Sequence, residues 1–391
     1  MPSRPAASLV VAVLILATAG LPATAYDLGR DKFRQLEEVL PTPNAYRTAS
    51  GAPGHDYWQQ RADYDIKVHL DDEQQRIEGS ETITYTNVSP DQLRYLWLQL
   101  DANLFDPTGP GALTQTAPDF EKFPYRDLAQ ILALRKFQGG DRITSVAAED
   151  GTPLAHTIVQ TMMRVDLPKP LESGETMKFS VQWSYPINDA KVMGGRSGYE
   201  HFDADDNYIY EIAQFYPRMV AYMDATGWQH KQFLGRGEFT LDFGDYHVEI
   251  TAPADHVVGA TGVLQNPDAV LAPAWKDRLD QAETADKPVF IITPAEAKAN
   301  ESSRATGEKT WIFEAENVRD FAFASSRKFI WDAQRHDVEG NHVLAMSFYP
   351  NEAEPLWSRY STAAIVHTLD VYSRYTFPYP YPVAISVNGP V

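Results

Sequence analysis

Residues 64–86 read YDIKVHLDDEQQRIEGSETITYT, and this stretch carries the clearest structural signal in the sequence. Apolar and polar residues alternate from Tyr64 to Leu70, and a second run extends from Arg76 to Thr86. The polar segment Asp71–Gln74 separates the two runs. A period of two indicates a strand with one buried face, and two such runs joined by a short polar segment predict a hairpin. The stretch therefore favours an antiparallel β fold.

The strand pattern continues along the chain, with glycine-containing or polar turns between the runs. Leu93–Leu100 is apolar on both faces, which predicts a strand buried on both sides. Met177–Tyr185 alternates, with its apolar residues on one face. Further predicted strands are Glu238–Phe243, Tyr246–Thr251 and Val257–Leu264, arranged as a meander, followed by Trp311–Ala315 and Phe321–Trp331.

The N-terminal residues have the pattern of a signal peptide. Arg4 precedes the apolar run Leu9–Ala19, and Ala23-Thr24-Ala25 is a cleavage signal of the A-x-A type. We expect residues 1–25 to be removed and the mature protein to be exported, periplasmic or secreted. The alternative is an uncleaved membrane anchor, although the run is shorter than a spanning helix requires. After Tyr26 no second apolar segment approaches that length.

Composition excludes several classes of function. The 391-residue chain has 34 Lys and Arg against 53 Asp and Glu, and its formal net charge is −19. Such a surface repels phosphate backbones, so no nucleic-acid partner is expected. Cysteine is absent, which excludes disulfides, thiolate metal ligands and cysteine nucleophiles.

The pattern changes twice more along the chain. Residues 26–61 are polar and proline-broken, which predicts an arm with one helix at Asp31–Leu40. The β domain spans residues 62–336, with a polar, alanine-rich helical insertion at 265–308. From residue 337 onward the sequence predicts a strand, a helix and another strand. The helix, from about Glu354 to Thr376, has a stripe that we expect to be buried: Trp357, Tyr360, Ala364, Ile365, Thr368, Leu369 and Tyr372.

Tests for catalytic motifs give no complete site. Zinc peptidase chemistry requires two histidines four residues apart on one helix face, with a glutamate after the first. No histidine in this sequence is followed by glutamate, and none lies two to five residues from another. Asp203–Asn207 resembles the start of a calcium loop, but Tyr208 and Gln214 stand where glycine and glutamate are required. We expect an acidic surface loop there, and no metal ligand or catalytic residue in this chain.

The order of segments resembles the N-terminal part of the aminopeptidase N-like (gluzincin) zinc metallopeptidases. The resemblance covers about Tyr64 to Val391. It implies a mainly β fold, in which a large saddle-like antiparallel β domain precedes the first strand-helix-strand of an α/β catalytic domain. Five stretches carry it: Gln214-Phe215-Tyr216-Pro217-Arg218, Glu238–Phe243, Val257–Gly262, Asp320–Ser325 and Pro378-Tyr379-Pro380-Tyr381-Pro382.

The resemblance also implies a function for the intact protein. Family members carry a Gly-x-Met-Glu loop, an H-E-x-x-H helix and a glutamate zinc ligand after the Pro-Tyr-Pro strand, and this sequence ends at Val391 before them. The resemblance therefore implies that the intact protein is a zinc-dependent aminopeptidase acting on peptides, and that its zinc ligands lie beyond Val391. Residues 337–391 are then a truncated start of the catalytic domain, and the chain alone is expected to be inactive.

One residue of this chain matches a family site. Gln214 corresponds to the glutamine of the β domain that reaches towards the first side chain of the substrate; the alternative is a structural glutamine at a strand end. Two other functions stay open. One is a self-sufficient exported β-sandwich module that binds protein or glycan without catalysis, and the other is a peptidase relative used as a scaffold. The sequence indicates neither the peptide specificity nor the oligomeric state.

Overall fold

The computed structural model describes residues 43–109, 120–235 and 240–389. The chain divides at His55 into two units, Met1–His55 and Asp56–Val391. The predicted signal peptide and the predicted helix Asp31–Leu40 lie outside the described residues. In the part of the chain that the structure describes, no helix is both long and apolar enough to cross a membrane.

The second unit is mainly β, as predicted. Its strands, in chain order, are β1 (Arg61–Asp71), β2 (Arg76–Thr86), β3 (Leu93–Gln99), β4 (Arg142–Ala148), β5 (His156–Val159), β6 (Met162–Leu171), β7 (Thr176–Pro186), β8 (Gly198–Phe202), β9 (Asn207–Ile212), β10 (Arg218–Met219), β11 (Tyr222–Met223), β12 (Gly227–Trp228), β13 (Gly244–Pro253), β14 (Val257–Ala260), β15 (Val263–Leu264), β16 (Val289–Ile292), β17 (Glu308–Val318), β18 (Phe323–Ser326), β19 (Ile330–Val338), β20 (Asn341–Tyr349) and β21 (Val383–Val387). The α-helices are α1 (Tyr125–Lys136), α2 (Ala190–Met193), α3 (Pro267–Val270), α4 (Pro273–Ala282), α5 (Pro294–Asn300) and α6 (Leu356–Tyr375), and short 3-10 helices cover Asp101–Phe105, Phe120–Lys122 and Asn351–Ala353.

The predicted hairpin is confirmed and lies inside the largest sheet. β1 and β2 pair antiparallel from Arg61↔Thr86 to Asp71↔Arg76. The turn is closed by Asp71, whose Oδ1 accepts hydrogen bonds from the backbone N–H groups of Glu73 and Gln74. The sheet has the order β15-β17-β13-β1-β2-β7-β4. Alternating residues of β1 and β2 enter the core, so the period-two pattern has its expected cause.

The neighbours of β13 differ from the predicted meander. β13 pairs parallel with β1 and antiparallel with β17, whereas β14 pairs with β18 in another sheet. Residues 240–242 form no strand, and residues 236–239 lie outside the described residues. A Cβ on Gly244 would lie 1.6 Å from the carbonyl oxygen of Ala62. The meander prediction is wrong because β13 pairs with β1, which is distant in the sequence, and with β17, and not with the strands next to it in the chain.

Three four-stranded sheets complete the framework, with the orders β10-β3-β6-β5, β14-β18-β9-β8 and β16-β19-β20-β21. One continuous apolar core joins all four larger sheets, and it includes Ile66, Leu96, Ile212 and Phe348. Predicted strand Leu93–Leu100 is confirmed as β3. The predicted insertion contains α3, α4 and α5 together with β16, which pairs with β19. The predicted boundary at residue 336 falls within β19; the assignment of residues to functional domains stays a prediction.

The strand-helix-strand unit is present at the predicted position, and its two strands, β20 and β21, run parallel. Helix α6 follows β20, and its buried face differs from the predicted stripe. Thr362, Leu369 and Ser373 are buried, whereas Tyr360 and Tyr372 are 60% and 68% exposed. The buried face differs because hydroxyl groups of α6 and of the sheet form a hydrogen-bond network between the helix and the sheet.

That network joins α6 to the sheet through polar side chains. Ser347 Oγ lies 2.7 Å from Thr362 Oγ1 and 3.1 Å from Ser386 Oγ. Thr362 also donates a hydrogen bond to Asp332, which accepts a second one from Tyr349 at 2.6 Å. The predicted stripe is therefore partly correct: Leu369 is buried, and Trp357 and Ile365 pack against the apolar clusters, whereas Tyr360 and Tyr372 face solvent.

Candidate functional site

A groove of about 1030 Å³ lies beside strand β21 and is called the β21 groove below. Its walls come from segments far apart in the sequence: residues 259–263, 314–320, 322–324 and 379–383. Glu211, Phe243, Gln265, Ile385 and Val387 complete the lining. A concave, mostly apolar surface with a few polar groups is typical of a ligand site.

One wall is the turn between β14 and β15. Thr261 N donates to the carbonyl oxygen of Ala322 at 2.9 Å, and Ala322 N donates to Thr261 Oγ1 at 3.1 Å. Gly262 has φ +87°, and a Cβ there would lie 2.2 Å from the carbonyl oxygen of Glu314. Only glycine fits both the backbone angle and this approach. The turn thus fixes β15 against β17 at the rim of the groove.

The opposite wall is β21 and the segment before it. Val383, Ile385 and Val387 line the groove. The alternate residues face α6: Ala384 packs against the small apolar cluster that contains Leu369, and Ser386 Oγ lies 2.7 Å from Ser361 Oγ. β21 therefore presents an apolar strand face to the groove.

Two tyrosines of the Tyr-Pro-Tyr-Pro segment hold this wall in place. Tyr379 donates its hydroxyl hydrogen to the carbonyl oxygen of Val383 at 2.9 Å. Tyr381 donates to the carbonyl oxygen of Asn317 at 3.0 Å, which links the segment to the end of β17. The two rings meet edge to face with centroids 5.6 Å apart. The segment consequently bridges the two walls of the groove.

A buried ion network lies behind the groove at Asp320. Arg218 is 1% exposed; its Nη1 donates to Asp320 Oδ2 at 2.6 Å, and its Nε and Nη2 donate to Asp101 Oδ2 at 3.0 and 2.6 Å. The Tyr216 hydroxyl donates to Asp320 Oδ1 at 2.8 Å and lies 3.0 Å from the Tyr246 hydroxyl. Asp320 is thereby held at the groove by side chains of the core.

The charges in this network stabilise one another. Burial raises the pKa of Asp101, although Arg218 opposes the shift. Burial also disfavours the charge on Arg218, yet Asp101 and Asp320 hold the pKa of Arg218 above its usual value. The guanidinium therefore stays positive and is shared between two carboxyl groups.

The charged residues of the lining are mostly acidic. Glu211, Glu314, Glu316 and Asp320 line the groove, and Arg319 is the single basic residue among the described residues that do so. The Arg319 guanidinium donates to the carbonyl oxygen of Leu241 and lies over the Phe243 ring, 4.1 Å from its centroid. Sequence patterns gave no signal for this convergence, because Glu211 on β9 is about a hundred residues from β17 and the segment that follows it.

The predicted substrate residue Gln214 follows β9 with φ 55° and is half-buried. It is not among the described residues that line the β21 groove. The next residues of its stretch do support the groove, since Phe215 packs edge to face on Phe323 with centroids 5.2 Å apart. The role of Gln214 stays a prediction.

The one cluster of potential metal ligands among the described residues lies away from the residues that line the groove. Among the described residues, one cluster of three acidic side chains has oxygens within 4.8 Å of one another: Asp205, Glu301 and Glu352. The ammonium of Lys328, which is fully buried, pairs with all three and is 3.0 Å from Glu352 Oε1 and 3.3 Å from Glu301 Oε1. The acidic loop Asp203–Asn207 supplies Asp205 to this cluster, and the Lys328 ammonium lies among the three carboxyl groups.

Comparisons with known proteins give similarity at the level of the fold. No protein-family model and no curated protein matches the sequence. The chain is similar to a solved M1 zinc metallopeptidase from Deinococcus radiodurans, at 14% identity and a TM-score of 0.47, over 85% of this chain and 56% of that one. It is similar to a two-domain M1 zinc metallopeptidase mutant bound to L-tryptophan, at 14% identity and a TM-score of 0.48, over 87% and 59%.

This chain thus spans less than two thirds of the length of the structures that it matches. The similarity to these structures is one of fold.

Proposed function

We propose that this chain is the N-terminal portion of an exported, periplasmic or secreted, zinc-dependent metallopeptidase of the aminopeptidase N-like type, and that the β21 groove receives its peptide substrate. One observation carries the proposal. Four of the five stretches that resemble this family line the same groove although they are far apart in sequence: Glu238–Phe243 through Phe243, and residues within 257–262, 320–325 and 378–382. The fifth, Gln214–Arg218, holds Asp320 from behind.

The shape and chemistry of the groove suit a short peptide. Its volume of about 1030 Å³ is at the upper end of the range for small-ligand pockets, about 300–1,000 Å³. The face of β21 and the Tyr379–Pro382 segment offer apolar contacts to side chains. The acidic residues at the rim offer partners for polar groups. In this proposal the chain binds and orients the peptide.

The zinc of the proposed enzyme does not fit the described residues. Catalytic zinc takes nitrogen, sulfur and carboxylate ligands and commonly includes histidine. The acidic cluster of Asp205, Glu301 and Glu352 is all-carboxylate, and Lys328 already neutralises part of its charge. We assign no zinc ligand to this chain and derive no chemical step from it. In this proposal the chain binds peptide but does not hydrolyse it alone.

The second candidate is a self-sufficient exported binding module without catalysis. It is favoured by the continuity of the core, because Trp331 and Phe348 of the last sheet belong to the same apolar cluster as the β domain. A groove formed by one continuous core needs no further domain to bind a ligand. Both candidates predict ligand binding at the β21 groove, and they differ in the need for a catalytic partner.

Binding is tested by fluorescence anisotropy with a dye-labelled tetrapeptide. Ile385 points into the groove, so Ile385→Trp should fill it and abolish binding. The control is Ile158→Trp on the edge strand β5, where the side chain is 41% exposed and outside the groove; this variant should bind normally. Equal binding by the wild type and Ile385→Trp would contradict the proposed site.

Catalysis is tested separately with an amino-acid p-nitroanilide and added zinc. The chain alone should release no nitroaniline. Hydrolysis that is lost on dialysis against a chelator would overturn the proposal that this chain lacks its own zinc site. Peptide binding that persists without hydrolysis agrees with both candidates; a gain of hydrolysis when a domain containing H-E-x-x-H is added would favour the peptidase.

A further inference from the structure

The charge of the β21 groove restricts which peptide it accepts, and this inference rests on the proposed function. Glu314 and Glu316 project from β17 at the rim, and both are exposed. Glu211, on β9, contributes a carboxylate to another part of the lining. The rim therefore carries negative charge on more than one side of the groove.

The basic groups near the groove do not cancel this charge. Arg319 directs its guanidinium to the Leu241 carbonyl oxygen and the Phe243 ring, and its single positive charge stands against four acidic side chains in the lining: Glu211, Glu314, Glu316 and Asp320. Arg218 is buried behind the groove, and both Asp101 and Asp320 accept hydrogen bonds from its guanidinium. Because Arg218 is shared with Asp101, its charge is not available to Asp320 alone.

The space between the acidic residues is apolar. Ala260 and Phe323 lie on the side of the β domain, and Val383 and Ile385 lie on the side of β21. A ligand that fills this space must combine apolar contact with positive charge at its edges. Lysine and arginine side chains have this combination, because an apolar stem carries a cationic head.

The geometry points to peptides with basic side chains as the ligands of the β21 groove. Lys or Arg side chains extend along the apolar walls and pair with Glu314, Glu316 or Asp320 at the rim. Complementary charges at an interface steer the encounter and discriminate against wrong partners, because like charges repel when they are brought together. Acidic peptides are therefore rejected by the same residues.

The test uses N-acetylated, dye-labelled tetrapeptides, so that no free amino terminus contributes positive charge. Three peptides differ only at two positions, which are Lys, Gln or Glu. The Lys peptide should bind tightest and the Glu peptide weakest. Binding of the Lys peptide should weaken as the salt concentration rises from about 0.01 M to about 1 M, because the Debye length falls from about 30 Å to about 3 Å.

The variant Glu314→Gln/Glu316→Gln should bind the Lys peptide about tenfold more weakly than the wild type does. This expectation assumes that the loss of each exposed ion pair lowers the affinity roughly threefold. The variant's binding of the Gln peptide should weaken much less than its binding of the Lys peptide. The matched control is Asp277→Asn/Glu283→Gln, which removes the same charge from exposed positions at helix α4 outside the groove. This control should bind all three peptides as the wild type does.

The outcomes separate this inference from the proposed function. If all three peptides bind equally and Ile385→Trp abolishes binding of each, the groove binds peptides but charge selection is refuted. If the control variant weakens binding as much as the groove variant, the net charge of the protein is responsible and the inference is also refuted. If no peptide binds at all, the proposed function fails together with it.

Discussion

Arg218 Nη1 lies 2.6 Å from Asp320 Oδ2, and this contact joins the buried core to the surface of the β21 groove. Arg218 also binds Asp101, so one side chain connects β10, the 3-10 helix Asp101–Phe105 and the segment before β18. Removing one partner of a buried ion pair leaves an uncompensated charge, which costs about 3–5 kcal/mol.

The first prediction follows from that contact. Arg218→Met should lower the free energy of unfolding by about 3–5 kcal/mol, measured by urea denaturation. The control is Arg335→Met, which removes an exposed pair with Asp337 and should cost no more than about 1 kcal/mol. Equal losses in the two variants would show that the buried network contributes no more than a surface pair.

The second prediction concerns Gly262. Gly262→Ala should destabilise the protein because its φ is +87° and the new Cβ would lie 2.2 Å from the Glu314 carbonyl oxygen. Gly151→Ala is the matched control, since Gly151 has φ +84° but no atom within 4 Å of an added Cβ. The control should cost about 1–2 kcal/mol from backbone strain alone, and Gly262→Ala should cost clearly more. A thermal unfolding series measures both.

The third prediction concerns pH and Asp242. Burial raises the pKa of Asp242 to about 7, although Arg319 favours its ionised form. In the unfolded chain an aspartate has a pKa near 3.9. The folded state therefore holds this proton more tightly, and the resulting stability is complete below about pH 4 and is lost as the pH rises through about 7.

Asp242→Asn should remove this dependence. The wild type should lose stability between about pH 4 and about pH 7 more steeply than the variant, in urea unfolding at a series of pH values. Asp277→Asn changes an exposed aspartate and should keep the slope of the wild type. If the free energy of unfolding changes with pH equally in the Asp242→Asn variant and the wild type, Asp242 is already ionised in the folded protein between about pH 4 and about pH 7.

The fourth prediction concerns the exposed aromatic side chains of α6. Tyr372 and Tyr375 are 68% and 79% exposed, and a contiguous apolar patch favours association. Tyr372→Glu/Tyr375→Glu should reduce self-association in sedimentation velocity and leave the unfolding midpoint unchanged. Tyr125→Glu/Leu128→Glu adds the same charge to exposed positions of α1 and should not reduce it. A wild-type chain that stays monomeric at high concentration would contradict the prediction.

The fifth prediction concerns export. Cleavage of the precursor should leave Tyr26 as the first residue, because small residues stand at Ala23 and Ala25. Mass spectrometry of the protein from the exported fraction measures this. Ala25→Arg should block cleavage and leave the full-length precursor, whereas Thr24→Arg, at the position between the two small residues, should still be cleaved. An exported protein that retains Met1 would refute the signal-peptide assignment.

Local patterns predicted local structure well. The hairpin of β1 and β2 is set by adjacent segments, and alternation alone places Ile66 and Ile83 in the core. The neighbours of β13 were not predictable in this way, because the pairing partner β1 is far away in the sequence. The buried face of α6 was predicted only in part because Thr362 and Ser373 are polar. Thr362 is buried against the Ser347 hydroxyl and the Asp332 carboxyl group, and Ser373 Oγ accepts a hydrogen bond from the backbone N–H of Tyr379.

The groove was only partly visible in the sequence. The stretches Val257–Gly262, Asp320–Ser325 and Pro378–Pro382 were identified one by one, but nothing in them shows that they meet. The acidic rim was not identified, since Glu211 and Glu316 belong to no motif. The family resemblance implies a substrate role for Gln214, which is not among the described residues that line the groove.

The parallel pairing of β1 with β13 sets an order of events during folding. Asp245 N donates to Asp63 Oδ1 across 182 residues of chain, so one edge of the first hairpin has no partner until the middle of the chain is available. Closing a loop of that length costs conformational entropy before its contacts form, and such topologies fold slowly. A hairpin with an open edge also attracts other strands. When the N-terminal part of the chain appears first, at a ribosome or across a membrane, the edge of β1 is exposed for an interval. During that interval the edge must be protected by a chaperone or paired quickly with β13.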